Sequence, residues 1–99
     1  MHYLLLYDVV DGFVQARTPH RDAHLALAES ARERGDLVLA GAIGDPVDGA
    51  ALVFQTEDRM VVEEFAERDP YVQAGLVKAW KVKPWQVVVG GTATRASTR

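Results

Sequence analysis

The sequence contains no cysteine, so disulfide bonds, catalytic thiols and zinc–thiolate sites are excluded. It also contains no apolar run that approaches the roughly 20 residues needed to cross a bilayer as a helix. The first residues, MHYLLLYDVV, lack the basic start and the small-residue cleavage site of a signal peptide. We therefore expect a cytoplasmic protein with no membrane partner.

Positive charge is scarce as well. Lys and Arg number 11 against 14 Asp and Glu, which gives a formal net charge of −3. The pI is about 5.5. Nucleic-acid-binding domains usually carry a basic patch and a high pI, so we expect no nucleic-acid partner. The apolar fraction of 48% and the charged fraction of 25% are ordinary for a globular domain, and 99 residues suffice for one domain.

Apolar periodicity predicts six elements in the order β-α-β-β-α-β. The predicted strands cover residues 2–10, 36–43, 50–56 and 77–89, and the predicted helices cover residues 17–34 and 57–68. Thr18 with Pro19 predicts the start of the first helix, and Thr56 predicts the start of the second. Pro84 predicts an edge position or a bulge in the last strand. This order is typical of the α+β, ferredoxin-like split-βαβ fold, in which a four-stranded antiparallel sheet carries both helices on one face.

We expect one domain over residues 1–89, followed by a flexible tail over residues 90–99, which is small and polar with no apolar anchor. The first and third predicted strands carry more apolar residues than one buried sheet face needs. Because a large exposed apolar patch marks an interface, we predict a homodimer in which two sheets pack face to face.

The helix predicted over residues 17–34 places two histidines on its apolar face. At about 100° per residue, His20, His24 and Leu27 fall on the side that packs against the core. A neutral histidine can act as a general base near pH 7, and a carboxylate partner would fix its tautomer. The alternative is a structural histidine that bonds a backbone carbonyl at the helix–sheet boundary. Periodicity alone favours this structural interpretation of His24.

Asp69 is the carboxylate that could serve as a partner for His24. An Asp-Pro pair at a turn usually caps a following helix, and the local sequence favours this role. In a split-βαβ fold, however, Asp69 follows the second helix and can approach the start of the first. A contact between His24 and Asp69 is therefore compatible with the predicted fold.

Two arginines flank the predicted start of the first helix. Arg17 and Arg21 could hold a carboxylate or an enolate oxygen beside a cleft, because guanidinium groups suit bidentate contacts with anions. A solvated charged face is the alternative for each. His20 and His24 have the spacing of a shared metal site, but Arg21 would repel the ion and no third ligand is evident. We expect neither a metal nor an organic cofactor.

Four short motifs follow one another along the chain. They are Arg21-Asp22-Ala23-His24-Leu25, then Gly35-Asp36-Leu37 leading to Ala40-Gly41, then Asp69-Pro70-Tyr71 with Ala74-Gly75-Leu76, and finally Val82-Lys83-Pro84-Trp85. Together they resemble the YciI-like (YCII-related) family, and the helix start R-x-x-H-L combined with D-P-Y-x-x-A-G-L is fairly specific. The resemblance spans nearly the whole chain, from the first strand to Trp85.

The resemblance implies a fold of the dimeric α/β-barrel type and an active site built on a His–Asp pair, here His24 and Asp69. One relative is a dehydrochlorinase that acts on a chlorinated hydroxyhydroquinone, and the wider superfamily includes muconolactone isomerases and cofactor-free monooxygenases. By analogy, our hypothesis is a cofactor-free lyase, isomerase or dehydrochlorinase acting on a small cyclic or phenolic compound. The alternatives are a non-catalytic small-molecule-binding or accessory domain, and a cofactor-free monooxygenase.

The same hypothesis assigns four substrate-binding residues: Arg21, Arg17, Tyr71 and Gly41. Two positions depart from the family pattern. Many relatives have proline after the Ala-Gly that ends the second strand, where this chain has Ala42. Some relatives place a serine in the loop before the third strand, where this chain has Gly49-Ala50. If that hydroxyl bonds the substrate in those relatives, the substrate of this chain is expected to differ.

Overall fold

The computed structural model describes residues 1–90 of the chain. The strands are β1 (His2–Val9), β2 (Leu37–Gly44), β3 (Val47–Gln55) and β4 (Val77–Trp85). The helices are α1 (Phe13–Ala16), α2 (Arg21–Glu33), α3 (Arg59–Arg68) and α4 (Pro70–Gln73), with a 3₁₀ turn at Thr18–His20 between α1 and α2. The flexible tail predicted for residues 90–99 lies outside the described residues, apart from Gly90.

The four strands form one sheet in the order β2-β3-β1-β4, and every neighbouring pair is antiparallel. This is the predicted ferredoxin-like arrangement, with the second and third strands paired along most of their length. β4 lies at one edge of the sheet, so Pro84 occupies an edge strand as its position in the sequence predicted.

Side chains alternate along β1, and those on one face form the core together with the helices. Leu5 lies opposite Leu52 of β3 and Val82 of β4, and all three are buried. Helix α3 packs on this face through Phe65, whose ring meets Phe54 edge to face with 5.2 Å between centroids. This packing holds α3 against the sheet, and both the sheet and the end of α3 border the candidate site.

Helix α2 is packed more loosely than α3. Ala31 is the buried residue of α2, whereas α3 buries Val62, Phe65 and Ala66. In β2, the neighbouring edge strand, every residue after Leu37 is exposed. The space between α2 and β2 is therefore an open cleft with side chains of both elements along its walls.

The first long helix begins at Arg21, so its predicted start at Arg17 is wrong. Residues Thr18–His20 form the 3₁₀ turn, with Pro19 at its beginning, and α2 starts without a side-chain cap. The Thr-Pro pair thus begins the turn and not the α-helix. Residues 13–16, which lie between the first predicted strand and the first predicted helix, form the short helix α1.

The second long helix also begins later than predicted. It starts at Arg59, and its cap is Asp58, whose Oδ1 accepts the backbone N–H of Met60 at 2.9 Å. Thr56, the predicted cap, instead accepts the backbone N–H of Asp58 through its hydroxyl at 3.2 Å. A carboxylate two residues closer to the helix takes the capping position.

Two strand boundaries differ as well. β3 begins at Val47, three residues before the predicted start, because the turn after β2 occupies only Asp45 and Pro46. β4 ends at Trp85, whereas the apolar run predicted a strand up to residue 89. Within residues 1–90, no helix is long and apolar enough to span a membrane.

The sheet face opposite the helices carries several apolar side chains. Strand register places Leu4, Leu6 and Leu39 on this face. Leu39 is 63% exposed, and Ile43 and Trp85 on the same face are 45% and 44% exposed. In a single copy of the chain, this outer face of the sheet remains open to solvent.

Candidate active site

Asp69 lies between α3 and α4 and is fully buried. Pro70 disfavours the helical conformation at the residue before it, so Asp69 adopts extended dihedral angles and α3 ends there. The Oδ1 atom of Asp69 accepts the backbone N–H of Tyr71 at 3.0 Å, which caps the short helix α4. The capping role predicted for Asp69 is confirmed, but it uses only part of the carboxylate.

Two side chains complete the hydrogen bonds of the Asp69 carboxylate. The Tyr7 hydroxyl donates to Oδ2 at 2.6 Å, and Nδ1 of His24 lies 2.9 Å from Oδ1. An ionised carboxylate only accepts hydrogen bonds, so Nδ1 carries the proton in this contact. A neutral His24 ring then has its lone pair on Nε2. The contact between His24 and Asp69, which was compatible with the predicted fold, is present in the structure.

The His24 ring is also held on its flat side. It stacks on the ring of Tyr71, with 4.0 Å between centroids and 12° between planes. Tyr71 in turn meets Phe13 of α1 edge to face at 5.3 Å. The His24 side chain is 14% exposed. Its Nδ1 atom contacts Asp69, and no group in residues 1–90 bonds its Nε2 atom. Because His24 lines the cleft, Nε2 is the ring nitrogen that is left for a ligand.

A cavity of about 400 Å³ occupies the cleft between α2 and β2. Small-molecule sites commonly have volumes of about 300–1,000 Å³. The residues predicted to bind substrate all line this cavity together with His24, and these are Arg17, Arg21, Tyr71 and Gly41. The rest of the wall is mainly apolar, and its members include Tyr7, Phe13, Leu25, Ala28, Leu37, Ala40, Ala42, Ala50 and Leu52.

Two residues considered from the sequence do not belong to the cavity wall. Asp69 does not line the cavity, but it contacts His24, which does. His20 ends the 3₁₀ turn and precedes α2, and it is not among the residues that line the cavity. In the part of the chain from residue 1 to residue 90, no three His, Asp or Glu side chains are grouped to hold a metal ion.

Tyr7 is the site residue that the sequence did not single out. It occupies a core-facing position of β1, where an aromatic side chain is expected for packing alone. A buried tyrosine hydroxyl usually has a hydrogen-bond partner, and this rule is the signal that could have identified it. Burial is the main cause that raises the pKa of Tyr7, and the neighbouring Asp69 carboxylate adds to it. The hydroxyl is therefore a protonated donor across the physiological range.

The Tyr71 hydroxyl is in a different situation. Tyr71 is 3% exposed, and its hydroxyl makes no well-aligned hydrogen bond within residues 1–90. Burial raises the pKa of Tyr71, while the positive charges of Arg21 and Arg17 and a hydrogen-bonding interaction with Arg21 act in the opposite direction. The hydroxyl thus stays protonated near neutral pH and lies within the electrostatic influence of both arginines.

The sequence profile of the YCII-related domain matches residues 1–86. The chain belongs to the YCII-related domain family. A Haemophilus influenzae protein described only as uncharacterised is 28% identical over 97 residues, covering 89% of this chain and 99% of that protein.

One solved structure extends the comparison of this YCII-related chain to an enzyme. It is 5-chloro-2-hydroxyhydroquinone dehydrochlorinase (TftG) from Burkholderia phenoliruptrix AC1100, in complex with 2,5-dihydroxybenzoquinone. The TM-score is 0.71 at 28% sequence identity, and the match covers 86% of this chain and 93% of that chain. The similarity confirms the fold that the family resemblance implied.

The two departures from the family pattern have different structural settings in this YCII-related chain. Ala42, the first departure, lines the cavity beside Gly41. A Cβ added at Gly41 would meet no atom within 4 Å, so space does not require a glycine there. Gly49 does require one, because a Cβ would lie 2.9 Å from the backbone oxygen of Tyr7. Gly49, which precedes the predicted third strand, lies within β3 together with Ala50. Of Gly49 and Ala50, only Ala50 lines the cavity.

Proposed function

We propose that this protein is a cofactor-free enzyme of the lyase, isomerase or dehydrochlorinase type that acts on a small cyclic or phenolic compound. The observation that carries the proposal is the 2.9 Å contact between His24 Nδ1 and the buried Asp69 carboxylate. A carboxylate in this position fixes the tautomer of the histidine and stabilises the protonated ring that forms when Nε2 accepts a proton. His24 acts as the general acid and base, and Asp69 orients it.

The lining of the cavity supports a ring compound as the substrate. Small-molecule sites are mostly apolar, with a few polar groups that fix the orientation of the ligand. Here apolar side chains such as Leu25 and Leu52 form much of the wall. The polar groups of the wall include His24 and the two arginines. When a phenolic proton is removed, negative charge develops on the substrate oxygen. Arg17 and Arg21 stabilise this charge from the same wall.

Similarity to a 5-chloro-2-hydroxyhydroquinone dehydrochlorinase supports a chlorinated hydroxyhydroquinone as the first substrate to test. In the proposed reaction, Nε2 of His24 accepts a phenolic proton and returns it to the ring carbon that bears chlorine. A second phenolic O–H then loses its proton as the carbon–chlorine bond breaks and chloride leaves. The net change is the loss of HCl with formation of a hydroxyquinone. No external oxidant or reductant enters this balance.

We also propose that the enzyme works in the cytoplasm as a homodimer with the two sheets packed face to face. Support comes from the outer face of the sheet, where Leu39, Ile43 and Trp85 are exposed in the single chain. Exposed apolar patches of this kind mark interaction surfaces in globular proteins.

The test is turnover of chlorinated hydroxyhydroquinones, measured as chloride release and as formation of the quinone chromophore. His24→Asn keeps a polar side chain of similar size but removes the base, so we expect activity to fall by about 10²-fold or more. His20→Asn is the matched control, because His20 lies outside the cavity wall and just before the same helix.

Retention of turnover in the His24→Asn variant would contradict the proposed role of His24. Oxygen consumption is recorded in the same assay, since stoichiometric oxygen uptake would indicate a monooxygenase instead. Binding of the ring compounds without chloride release, oxygen uptake or isomerisation would indicate a non-catalytic binding domain.

A further inference from the structure

The side chains that line the cavity carry more positive charge than negative charge. Arg17, Arg21 and Arg32 line the cavity, and Glu29 is its acidic lining residue. Glu29 is bound to Arg32, with 2.8 Å between Oε1 and Nε. Within residues 1–90, Arg17 and Arg21 have no ion-pair partner. Two guanidinium groups thus face a ligand-sized space in a protein whose net charge is −3.

The position of Arg17 is itself supported by packing. Its guanidinium carbon lies over the ring of Phe13, 5.4 Å from the centroid, and Phe13 is buried. A cation over an aromatic face is attracted by the ring quadrupole, so this contact holds the positive charge at the cavity wall. Arg17 is therefore placed without a carboxylate, and its hydrogen-bond donors remain available to a ligand.

The Tyr71 hydroxyl is a further donor beside the two arginines. Tyr71 is 3% exposed, and its hydroxyl makes no well-aligned hydrogen bond within residues 1–90. The neighbouring Arg21 can only donate to this oxygen, so the O–H of Tyr71 is left to donate to a ligand. Arg17, Arg21 and Tyr71 line the same cavity, which places all three donors in one neighbourhood.

We propose that the ligand of this cavity is a small ring compound with an ionised oxygen substituent, either a carboxylate or the enolate of a hydroxyquinone. Arg17, Arg21 and the Tyr71 hydroxyl form its anion-binding subsite. This inference rests on the proposed function, because it identifies the substrate class of the His24 site. The Tyr71 ring links the two positions, since its face contacts His24 while its hydroxyl belongs to the subsite. One small molecule can reach both.

The probes are 4-hydroxybenzoate and 4-hydroxybenzamide. Both have a phenol and nearly the same shape, but only the benzoate is negatively charged at neutral pH. In isothermal titration calorimetry with the whole chain at low salt, we expect the benzoate to bind at least about tenfold more tightly. Added salt reduces this preference, because the cleft is open and the charges are screened. Equal affinities, or no binding of the benzoate, would overturn the proposal.

Single substitutions assign the preference to particular residues. Arg17→Gln and Arg21→Gln are each expected to reduce the preference for the carboxylate severalfold. Arg34→Gln is the matched control, because it removes the same charge just beyond the end of α2 and outside the cavity. A control variant that loses the preference as strongly as the two cavity variants would show a non-specific charge effect and would refute the subsite.

Tyr71→Phe separates ligand binding from structure. The hydroxyl makes no well-aligned hydrogen bond among the described residues, so its removal is expected to leave resistance to urea unchanged or higher. Affinity for the benzoate should nevertheless fall severalfold, with little change for the benzamide. If the variant unfolds more readily while its affinity for the benzoate is unchanged, the hydroxyl is structural and the proposed subsite is wrong.

The His24→Asn variant distinguishes this inference from the proposed reaction. His24 is outside the subsite, so the variant should keep the preference for the carboxylate while it loses turnover. Retained turnover in this variant contradicts proton transfer by His24 but leaves the anion subsite standing. A wild-type protein without charge preference, together with an inactive His24→Asn variant, contradicts the subsite and leaves proton transfer standing.

Discussion

The rings of His24 and Tyr71 stack 4.0 Å apart, and both residues also contact the same oxygen of Asp69. Tyr71 does so through its backbone N–H and His24 through Nδ1. One carboxylate oxygen of Asp69 thus caps the turn that carries the Tyr71 ring and also orients the His24 ring. The stack and the proposed general base therefore depend on the same buried residue.

Replacing this carboxylate should destabilise the fold as well as the site. The Asp69 carboxylate now contacts three hydrogen-bond donors, which are the Tyr7 hydroxyl, His24 Nδ1 and the Tyr71 amide. In Asp69→Asn, the side-chain NH₂ group replaces one carboxylate oxygen, so a donor faces a donor and at least one of these hydrogen bonds is lost. We expect a loss of about 1–3 kcal/mol in the free energy of unfolding, measured by urea denaturation. Asp8→Asn is the control, because Asp8 is exposed and its contact with Lys78 spans 4.0 Å. Equal stabilities of the two variants would contradict this account.

The tautomer of His24 can be observed directly. Nitrogen chemical shifts of the ring, recorded at a pH where it is neutral, should show the proton on Nδ1, because the Asp69 carboxylate accepts it. In Asp69→Asn the second tautomer should become populated. A wild-type ring protonated on Nε2 would mean that the 2.9 Å contact does not hold the proton as proposed.

The Tyr7 hydroxyl predicts a specific response to alkaline pH. Burial raises the pKa of Tyr7 above its ordinary value of 10.0, so unfolding allows the side chain to ionise above that pH while the folded protein keeps it protonated. The stability that depends on this difference is fully present below about pH 10 and falls as the pH rises further. For one tyrosine the limiting slope is about 1.4 kcal/mol per pH unit.

Urea denaturation between about pH 9 and 11 measures this effect. Tyr7→Phe should lower stability at neutral pH, because the Asp69 carboxylate loses a donor, and should lose less stability than the wild type as the pH rises. Tyr3→Phe is the control, since it removes another hydroxyl from β1. An unchanged alkaline slope in Tyr7→Phe would show that Tyr7 does not ionise on unfolding as described.

The proposed dimer can be tested on the outer face of the sheet. Leu39 is the most exposed large apolar residue of β2, so Leu39→Lys should shift sedimentation velocity profiles from dimer towards monomer. Met60→Lys is the matched control, because Met60 is similarly exposed, at 55%, but lies on helix α3. A wild-type protein that sediments as a monomer at micromolar concentration would contradict the proposal.

The strand pattern and the motif order predicted much of this structure. Leu5 and Leu52 lie in short, apolar, β-prone runs, and such runs were enough to predict the strands of the sheet. The contact between His24 and Asp69 was predictable because the topology brings the end of α3 close to the start of α2. Local capping chemistry was harder to interpret, since a Thr-Pro pair can begin a 3₁₀ turn as readily as an α-helix.

Tyr7 shows why part of the site could not be predicted. Its partner Asp69 is 62 residues away along the chain, and no local pattern links the two. The core position of Tyr7 accounts for its aromatic ring without reference to the hydroxyl. Only the spatial arrangement shows that this hydroxyl supports the carboxylate behind His24.

The cap at the start of α4 also offers a kinetic measurement. A backbone amide exchanges its hydrogen with solvent when its hydrogen bond opens. The acceptor for the Tyr71 amide is the same Asp69 oxygen that contacts His24. The deuterium exchange rate of this single amide therefore reports how often the carboxylate releases its partners. It measures, without any substrate, the fraction of time for which the Asp69 carboxylate is not in place to hold His24.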